Sequence, residues 1–463
     1  MKLLRRHLFQ GAAAVAALAL AACANFSSHR TDAPPIVFVH GNGDTAALWM
    51  TTIWRFESNG WPRERLHAID VPYPLARDDD SKPQPGRTST AEHMAFLSSE
   101  VDKVLAATGA KQVVLMANSR GGNAVRNYIQ NGGGGSKVSH AILGGTPNHG
   151  VWAIPGFREG NEFSGTGPFL KSLNAPKNAA GDEVTGPVKW MTIRSDNNDK
   201  FAQPDGLWIG MRGTPTFVTS AGPELKGAFN VVIPKIDHRE TSYSPAAFDA
   251  AYRFITGKAP ATTGFTPENS VMLNGKVTGL GLDSNNPSSG NFVNNLHVNS
   301  TTVEIFETNA TGERAGAATH RKTTGVDGQW GPFAAKANTN YEFVISAPGY
   351  ATLHIYRNAF PRSSAVLHLR AERIADADKN AGSIVNFTRP RGYFDADRDA
   401  LSFDGIKPPP GITPGTGAGL AASKIKADSF QARSVQAEFN GQKLVGRTWP
   451  AAQGHVSVLE LHD

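Results

Sequence analysis

Cysteine is almost absent from this chain, since Cys23 is the only one among 463 residues. A single thiol excludes an internal disulfide, so the fold must rest on apolar burial and hydrogen bonds. Beyond its first 22 residues the chain also lacks a Lys/Arg-rich run or a basic stripe interleaved with aromatic residues. Nucleic-acid binding is therefore unsupported, and no feature of the sequence implies a protein partner.

A strong excess of charge is missing as well. The 46 Lys and Arg residues outnumber the 40 Asp and Glu residues by six. Three of these cations lie in the first 22 residues, which leaves 43 against 40, or +3, for the remainder. The basic balance thus belongs in part to an N-terminal targeting segment.

Residues 1–22 are predicted to be a lipoprotein signal peptide. Three basic residues precede a run of Ala, Leu and Val that is too short to span a membrane as a stable helix. The run ends in Leu-Ala-Ala-Cys at 20–23, which resembles the lipobox of bacterial lipoproteins and implies that Cys23 is diacylated. We expect an exported protein that is anchored by lipid at the outer membrane or cell surface. Ordinary signal-peptide cleavage, the alternative, would give a secreted protein.

The remaining 440 or so residues are too many for one core and predict two or three domains. Residues 33–258 alternate short apolar strands with helical patterns, which is typical of an α/β fold with a mostly parallel sheet covered on both faces. The predicted strands lie near 35–39, 66–71, 112–118, 138–144, 188–194 and 228–233.

Two helices of this region have clear limits. One begins at a capping box that starts with Ser89 and ends before Gly109. The other begins with Ser244 as cap and Pro245 in its first turn, and it ends at Gly257. Both are predicted to cover the sheet.

The helical signal disappears after a linker at 259–270. Residues 271–370 contain short alternating segments separated by Gly, Asn, Asp and Pro turns, which predicts an all-β sandwich or barrel. Residues 371–463 form a second, weaker β region. From the sequence it is either a third domain or a completion of the second.

The most informative stretch for function is the Ala-x-Ser-x-Gly pattern at 117–121. It follows an apolar strand and opens a helix, so Ser119 stands at the corner of a predicted nucleophile elbow. Such a turn strains the serine backbone and requires small residues two positions before and after it, here Ala117 and Gly121. An ordinary strand-to-helix turn is the alternative, since small residues surround many serines.

A second loop strengthens the prediction. Residues 35–39 run into His-Gly-Asn-Gly at 40–43, where an α/β-hydrolase places half of its oxyanion hole. We assign the two backbone N–H donors to Asn42 and Arg120, the latter at the start of a helix whose dipole favours an anion.

A serine hydroxyl needs a histidine base held by a carboxylate, and in this fold the chain order is Ser, acid, His. The acid is expected in the loop after the strand at 188–194. Asp199 is preferred because an apolar residue two positions on and a proline five positions on resemble the acid loop of many α/β-hydrolases. Asp196, which is close enough to the strand end to be a turn former, and Asp205 are the alternatives. His238 follows the last strand and precedes the final helix, so it is the predicted base.

Other candidates fit less well. His140 lies inside a predicted strand, and His149 precedes the acid, so it has the wrong order but could line the pocket. The aromatic-rich segment 151–173 is either a mobile cover of an apolar acyl site or a surface excursion that packs on the sheet. The three aspartates within 395–399 suggest calcium, but a solvated turn fits them better because the loop glycine and distant glutamate are missing.

With these residues in place, the chain resembles bacterial lipases with an Ala-x-Ser-x-Gly elbow and, over most of its length, two-domain archaeal lipases with a C-terminal β-barrel. The matching segments are 40–43, 117–121, 244–248, 254–263 and 356–360, together with His238. Two departures stand out: Ala-Asn replaces Gly-His before the serine, and the early acid position near Gly144 and Gly145 has no carboxylate.

The resemblance implies an α/β-hydrolase that cleaves carboxylic esters, with a β region that helps to engage a lipid-like substrate. The predicted chemistry is an acyl-enzyme route through Ser119, His238 and Asp199 that needs no metal and no organic cofactor. Two alternatives stay open: a depolymerase of polyhydroxyalkanoate-like polyesters, and a non-catalytic surface-binding lipoprotein on a hydrolase scaffold.

Overall fold

The computed structural model describes residues 33–280, 293–414 and 419–463. The predicted signal peptide and Cys23 lie outside these residues. Within the described ranges, no helix is both long and apolar enough to cross a membrane.

A parallel six-stranded sheet organises the first half of the chain, in the order β2-β1-β3-β4-β5-β6. Its strands are β1 (Ile36–Val39), β2 (Leu66–Ile69), β3 (Val113–Asn118), β4 (Val138–Gly144), β5 (Lys189–Ser195) and β6 (Phe229–Ile233). All six strands predicted from the sequence are confirmed, although β2 ends two residues earlier than expected. The predicted fold class is therefore confirmed for this half.

The helices of this half are α1 (Met50–Ser58), α2 (Thr90–Thr108), α3 (Arg120–Asn131), α4 (Pro168–Leu173), α5 (Glu240–Tyr243) and α6 (Pro245–Thr256). The capping box of α2 is present, and Gly109 ends that helix with a left-handed φ of 65°. The hydroxyl of Ser244 accepts a hydrogen bond from the Ala247 N–H at the start of α6. The predicted starts and ends of these two helices are confirmed.

The sheet buries a separate apolar cluster on each face, because successive side chains of a strand point to opposite sides. On one face the ring of Phe38 lies 5.1 Å from that of Trp49 and 6.1 Å from that of Phe56. On the other face Val37 belongs to a cluster that includes Tyr128 of α3. Burial on both faces explains why β1 and β3 are apolar at nearly every position.

The second half is all β, as predicted. Its strands are β7 (Val271–Leu273), β8 (Val277–Leu280), β9 (Val293–His297), β10 (Thr302–Thr308), β11 (His320–Thr323), β12 (Phe333–Ala335), β13 (Asn340–Ser346), β14 (Thr352–Arg357), β15 (Leu369–Ala371), β16 (Ser383–Thr388), β17 (Leu401–Phe403), β18 (Ala422–Ala427), β19 (Ser434–Phe439), β20 (Gln442–Arg447) and β21 (His455–Glu460). The largest sheet has seven strands in the order β11-β10-β13-β14-β21-β16-β18. Because β21 pairs with both β14 and β16, strands from either side of residue 370 share one sheet.

The two halves share a buried boundary. Trp54 and Met50 of α1 belong to the same apolar cluster as the β-region residues Leu273 and Phe360. The Trp54 indole also donates to the carbonyl of Ser363 at 2.8 Å. The β region is thus packed directly on the helices of the α/β half.

Candidate active site

Ser119 occupies a strained turn between β3 and α3. Its backbone angles are φ 53° and ψ −125°, a conformation that residues with a Cβ rarely adopt. The Ser119 N–H donates to the carbonyl of Gly144 at 2.8 Å, which ties the corner to the end of β4. This backbone geometry is the one expected of a nucleophile elbow.

The small residues around the turn are required by contact. A Cβ on Gly121 would lie 2.6 Å from the carbonyl oxygen of His40 and 2.7 Å from that of Val39. A Cβ on Gly41 would lie 2.9 Å from the Cβ of Ser119. The elbow and the loop at 40–43 therefore touch backbone to backbone.

Asp199 and His238 form a close pair beside this corner. The His238 Nδ1 atom lies 2.9 and 2.8 Å from the two carboxylate oxygens of Asp199, and both side chains are almost fully buried. Because a carboxylate only accepts, Nδ1 carries the proton and Nε2 is left as the basic nitrogen. The ring of Phe201 packs edge-on against the imidazole at 4.6 Å. The histidine is thereby fixed in one tautomer and orientation.

The early acid position lies against the same imidazole. A Cβ on Gly145, which has a φ of 55°, would lie 3.0 Å from the Nδ1 atom of His238. A carboxylate is missing there, and Asp199 from the loop after β5 approaches that nitrogen instead. The predicted acid Asp199 therefore contacts the imidazole from the loop after β5, while the position near Gly145 at the end of β4 has no carboxylate.

The alternative residues are engaged elsewhere. Asp196 accepts the N–H groups of Asn197 and Lys235, and Asp205 accepts that of Leu207, so both carboxylates stabilise turns. His149, which the sequence suggested could line the pocket, is not among the residues that line the cavity containing Ser119 and His238. Its Nε2 atom lies 2.8 Å from Glu183, and this hydrogen bond raises the pKa of the imidazole.

His140 and the acidic turn also have structural environments. His140 lies on β4 and packs edge-on against Phe254. In the acidic turn, Asp395 accepts the N–H of Asp397, and Asp399 accepts that of Asp395. In the part of the chain that the structure describes, no cluster of three or more His, Cys, Asp or Glu side chains is placed to hold a metal ion.

Ser119 and His238 line one cavity of about 300 Å³. Its polar rim includes Asn42, Asp44 and Arg239. Its apolar lining residues are Val151, Trp152, Phe163, Phe201, Trp208, Ile209 and Tyr393. The composition suits an apolar ligand group placed beside a few polar atoms.

The two predicted oxyanion donors are a residue of the cavity lining, Asn42, and the residue that follows Ser119 in the chain, Arg120. Asn42 lines the cavity, and its side-chain oxygen accepts the Ala76 N–H at 2.8 Å, which fixes the loop. Burial lowers the pKa of His40, so a neutral imidazole accepts the Val71 N–H at 3.1 Å behind the same loop. Arg120 is the first residue of α3, where the backbone N–H groups have no partner within the helix.

The side chain of Arg120 has a role that the sequence did not suggest. It is fully buried and binds Glu162 through two hydrogen bonds of 2.9 and 2.8 Å. It also donates to the carbonyls of Pro74 and Thr88. The elbow is thereby joined to the segment 151–173.

That segment forms one wall of the cavity. Val151, Trp152 and Phe163 line the cavity, and the Val151 N–H donates to the carbonyl of Phe163 at 2.9 Å. The Trp152 indole donates to the carbonyl of Phe157 at 3.1 Å. The predicted contribution of its aromatic residues to an apolar site is consistent with these contacts.

The roles of two further residues at the site were missed. Asn118 donates from its amide to the carbonyls of Gly144 and His238, at 3.3 and 3.2 Å. Tyr393 reaches the cavity from the second β region. A local motif could not reveal either role, because the partners are more than 20 residues away along the chain.

Family models match two parts of the chain. Residues 34–167 match the model described as the alpha/beta hydrolase fold. Residues 269–374 match the model of a lipase C-terminal domain. The first match includes the elbow and the loop at 40–43, and the second begins in the predicted linker.

Solved structures similar to this chain include three named lipolytic proteins. Lipase B of Aspergillus fumigatus has 13% identity and a TM-score of 0.36 over 52% of this chain and 56% of its own. The mature form of a Bacillus licheniformis lipase has 20% identity and a TM-score of 0.35 over 48% of this chain and 92% of its own. A Legionella pneumophila phospholipase has 10% identity and a TM-score of 0.33 over 74% of this chain and 96% of its own.

This chain thus spans little more than half of the Aspergillus lipase. The two family matches agree with the parallel sheet, the strained serine corner and the β region that follows. The chain thus contains an α/β-hydrolase fold that includes residues 34–167, followed by a lipase C-terminal domain at 269–374.

Proposed function

We propose that this protein hydrolyses carboxylic esters through an acyl-enzyme on Ser119. The hydroxyl oxygen attacks the ester carbonyl while His238 Nε2 takes the hydroxyl proton. The oxyanion accepts hydrogen bonds from the backbone N–H groups of Asn42 and Arg120. The alcohol then leaves with the proton from Nε2. Water attacks the acyl-enzyme while giving a proton to Nε2, and the Ser119 oxygen takes this proton back as the carboxylic acid is released.

The observation that carries this proposal is the buried contact between Asp199 and His238, at 2.8 Å, beside a cavity that Ser119 also lines. Asp199 holds the proton on Nδ1 and stabilises the imidazolium that forms when Nε2 accepts the serine proton. The strained Ser119 backbone supports the same role, because such outliers are concentrated at active sites.

We further propose a hydrophobic ester of short to medium acyl length as the substrate. The apolar lining favours a hydrocarbon chain over a charged or sugar-like group. A cavity of about 300 Å³ has room for roughly ten water-sized groups at ~30 Å³ each. An extended palmitoyl chain exceeds this space, so its end would lie outside the cavity and gain less from the apolar walls than a short or medium chain.

Initial rates on p-nitrophenyl esters from acetate to palmitate test both parts. We expect wild-type rates to be highest at short or medium chains, and Ser119→Ala to lose about 10³-fold or more. Ser402→Ala, a buried serine in the β region that does not line the cavity, is the matched control and should keep full activity. A wild type inactive on every ester would contradict the proposal, and a maximum at palmitate would contradict the chain-length part.

We propose separately that the mature protein is held at a membrane by a lipid on Cys23, which lies outside the described residues. The support is the sequence at 20–23 and its preceding apolar run. Cells fed labelled palmitate should label the wild type and not Cys23→Ser. An unlabelled wild type would instead indicate a secreted protein.

A further inference from the structure

Both chain neighbours of His238 are attached to the second β region. Asp237 accepts the backbone N–H of Tyr393 at 2.8 Å and the guanidinium of Arg389 at 3.2 Å. On the other side, Arg239 donates to the carbonyl of Pro390 at 3.0 Å. A short segment after β16 therefore holds the histidine loop from both directions.

Two arginines of this segment complete a buried charge network. Arg389 also donates to Glu240 at 2.7 Å, and its side chain is only 3% exposed. Arg398 binds the second oxygen of Glu240 at 2.6 Å and the carbonyl of Tyr393 at 2.9 Å. The carboxylates of Asp237 and Glu240 thus face two guanidinium groups at this buried site, and Arg398 is shared with the buried carboxylate of Asp399 at 2.9 Å.

Tyr393 connects the network to the cavity. Its ring lines the cavity and lies 3.8 Å from the ammonium of Lys200, the residue that follows Asp199. The ammonium also lies over the rings of Phe201 and Trp208 and donates to the carbonyl of Gly419. The loop of Asp199, the loop of His238 and the second β region therefore meet at Tyr393.

We propose that the segment 389–398 of the β region is a functional part of the active site. Arg389 is a positioning residue that fixes the loop of His238 through Asp237 and Glu240. Tyr393 is a specificity-determining residue that closes the acyl cavity. This inference rests on the proposed ester hydrolysis, and it gives the second β region a role that the sequence left open.

The physical reason is that His238 has to keep its Nε2 atom aligned with Ser119. A displacement of about 1 Å at a catalytic group can cost about 100-fold in rate. Removal of Arg389 leaves two carboxylates of the histidine loop buried beside one remaining guanidinium, so the loop has to shift or take up water. Arg389 also donates to the carbonyl of Tyr393 at 2.7 Å, but within the described residues it has no hydrogen bond to the cavity wall formed by the segment 151–173. Such a shift therefore lowers kcat and leaves most of the ground-state binding on that wall intact.

The first test compares Arg389→Met, Arg389→Lys and the matched control Arg314→Met. Arg314 forms a two-bond ion pair with buried Glu342 inside the β region and does not line the cavity. We expect Arg389→Met to lower kcat about 10- to 100-fold with KM within about twofold. Arg389→Lys should recover part of the lost activity, because lysine keeps the positive charge but not the planar guanidinium that binds two carboxylates at once.

Thermal unfolding of each variant separates positioning from stability. Arg314→Met should lower the unfolding temperature yet keep kcat within about twofold, since its pair is remote from the histidine loop. Equal effects of Arg389→Met and Arg314→Met on kcat would overturn the positioning role. A wild type without esterase activity would instead overturn the proposed function itself.

A second test does not depend on the Arg389 variants being folded. Tyr393→Ala removes part of the cavity wall, and Tyr393→Phe keeps the ring as the matched control. We expect Tyr393→Ala to shift the kcat/KM ratio of octanoate to butyrate esters by about 5-fold or more toward octanoate. An unchanged ratio in Tyr393→Ala would overturn the wall assignment.

Discussion

The side-chain amide of Asn118 donates a hydrogen bond to the backbone carbonyl of His238 at 3.2 Å, so the residue before Ser119 holds the loop of His238. The same amide donates to the carbonyl of Gly144 and lies 3.4 Å from the hydroxyl of Thr241. The proposed nucleophile and the loop of the proposed base are therefore linked by one buried side chain.

Replacement of Asn118 by Ala should lower kcat more than it raises KM. Two buried carbonyls lose a donor, and the histidine loop loses its link to the elbow. We expect a decrease in kcat of about 10-fold or more, measured on a short p-nitrophenyl ester.

Asn148→Ala is the matched control for this prediction. Asn148 is also fully buried and hydrogen-bonded, to Pro223 and Arg126, but it has no contact with His238. It should lose stability without a comparable loss of kcat. Equal losses of kcat in both variants would show that general destabilisation, and not the loss of the hydrogen bond that holds the His238 loop, is the cause.

The ion pair between Glu162 and Arg120 predicts a coupling of the cavity wall to the elbow. Glu162→Gln leaves a fully buried guanidinium without its carboxylate, which costs about 3–5 kcal/mol of stability. Chemical denaturation should report this loss. Glu100→Gln, which breaks a surface pair with Lys103, should cost about 1 kcal/mol or less. Similar losses in the two variants would contradict the buried role of Glu162.

Gly121 is predicted to tolerate no side chain. In Gly121→Ala the new Cβ meets two backbone carbonyls at 2.6 and 2.7 Å, which cannot move away as a flexible side chain would. We expect a loss of at least about 1–3 kcal/mol and of activity. Gly135→Ala, whose nearest neighbour would be 3.7 Å away, should be neutral or stabilising by about 0.4–1 kcal/mol. A fully stable and active Gly121→Ala would contradict the tight elbow.

His149 predicts a pH-dependent contribution to stability. The hydrogen bond to Glu183 raises its pKa above the ordinary value of 6.5, so the folded state favours the protonated imidazole. The stabilisation is therefore complete below pH 6.5 and is lost as the pH rises through the raised pKa. The unfolding temperature of the wild type should exceed that of His149→Asn most at pH 6 and least at pH 9. A difference independent of pH would contradict this assignment.

The sequence was sufficient where the determinants are local. Apolar periodicity located the six strands of the parallel sheet, and caps such as Ser89 and Gly109 located the limits of α2. The residues Ser119, Asp199 and His238 were selected by chain order and loop position. The structure brings Asp199 to His238, and it places Ser119 and His238 on the same cavity.

Contacts between distant segments could not be predicted in this way. Arg120 was chosen for its backbone N–H, but its side chain binds Glu162, 42 residues later. The proposed roles of Arg389 and Tyr393 depend on partners about 150 residues away. Polar contacts of this kind leave no periodic signal, because they are set by how two halves of the chain pack together.

The measurement that tests the central claim most directly is the activity of Asp199→Asn beside Asp196→Asn. Both variants exchange a carboxylate for an amide in the same loop, but only Asp199 contacts the imidazole of His238. The proposed triad predicts a loss in kcat of about 10³-fold or more for Asp199→Asn, because the wrong tautomer is favoured, and near wild-type activity for Asp196→Asn. An active Asp199→Asn would contradict the triad as assigned.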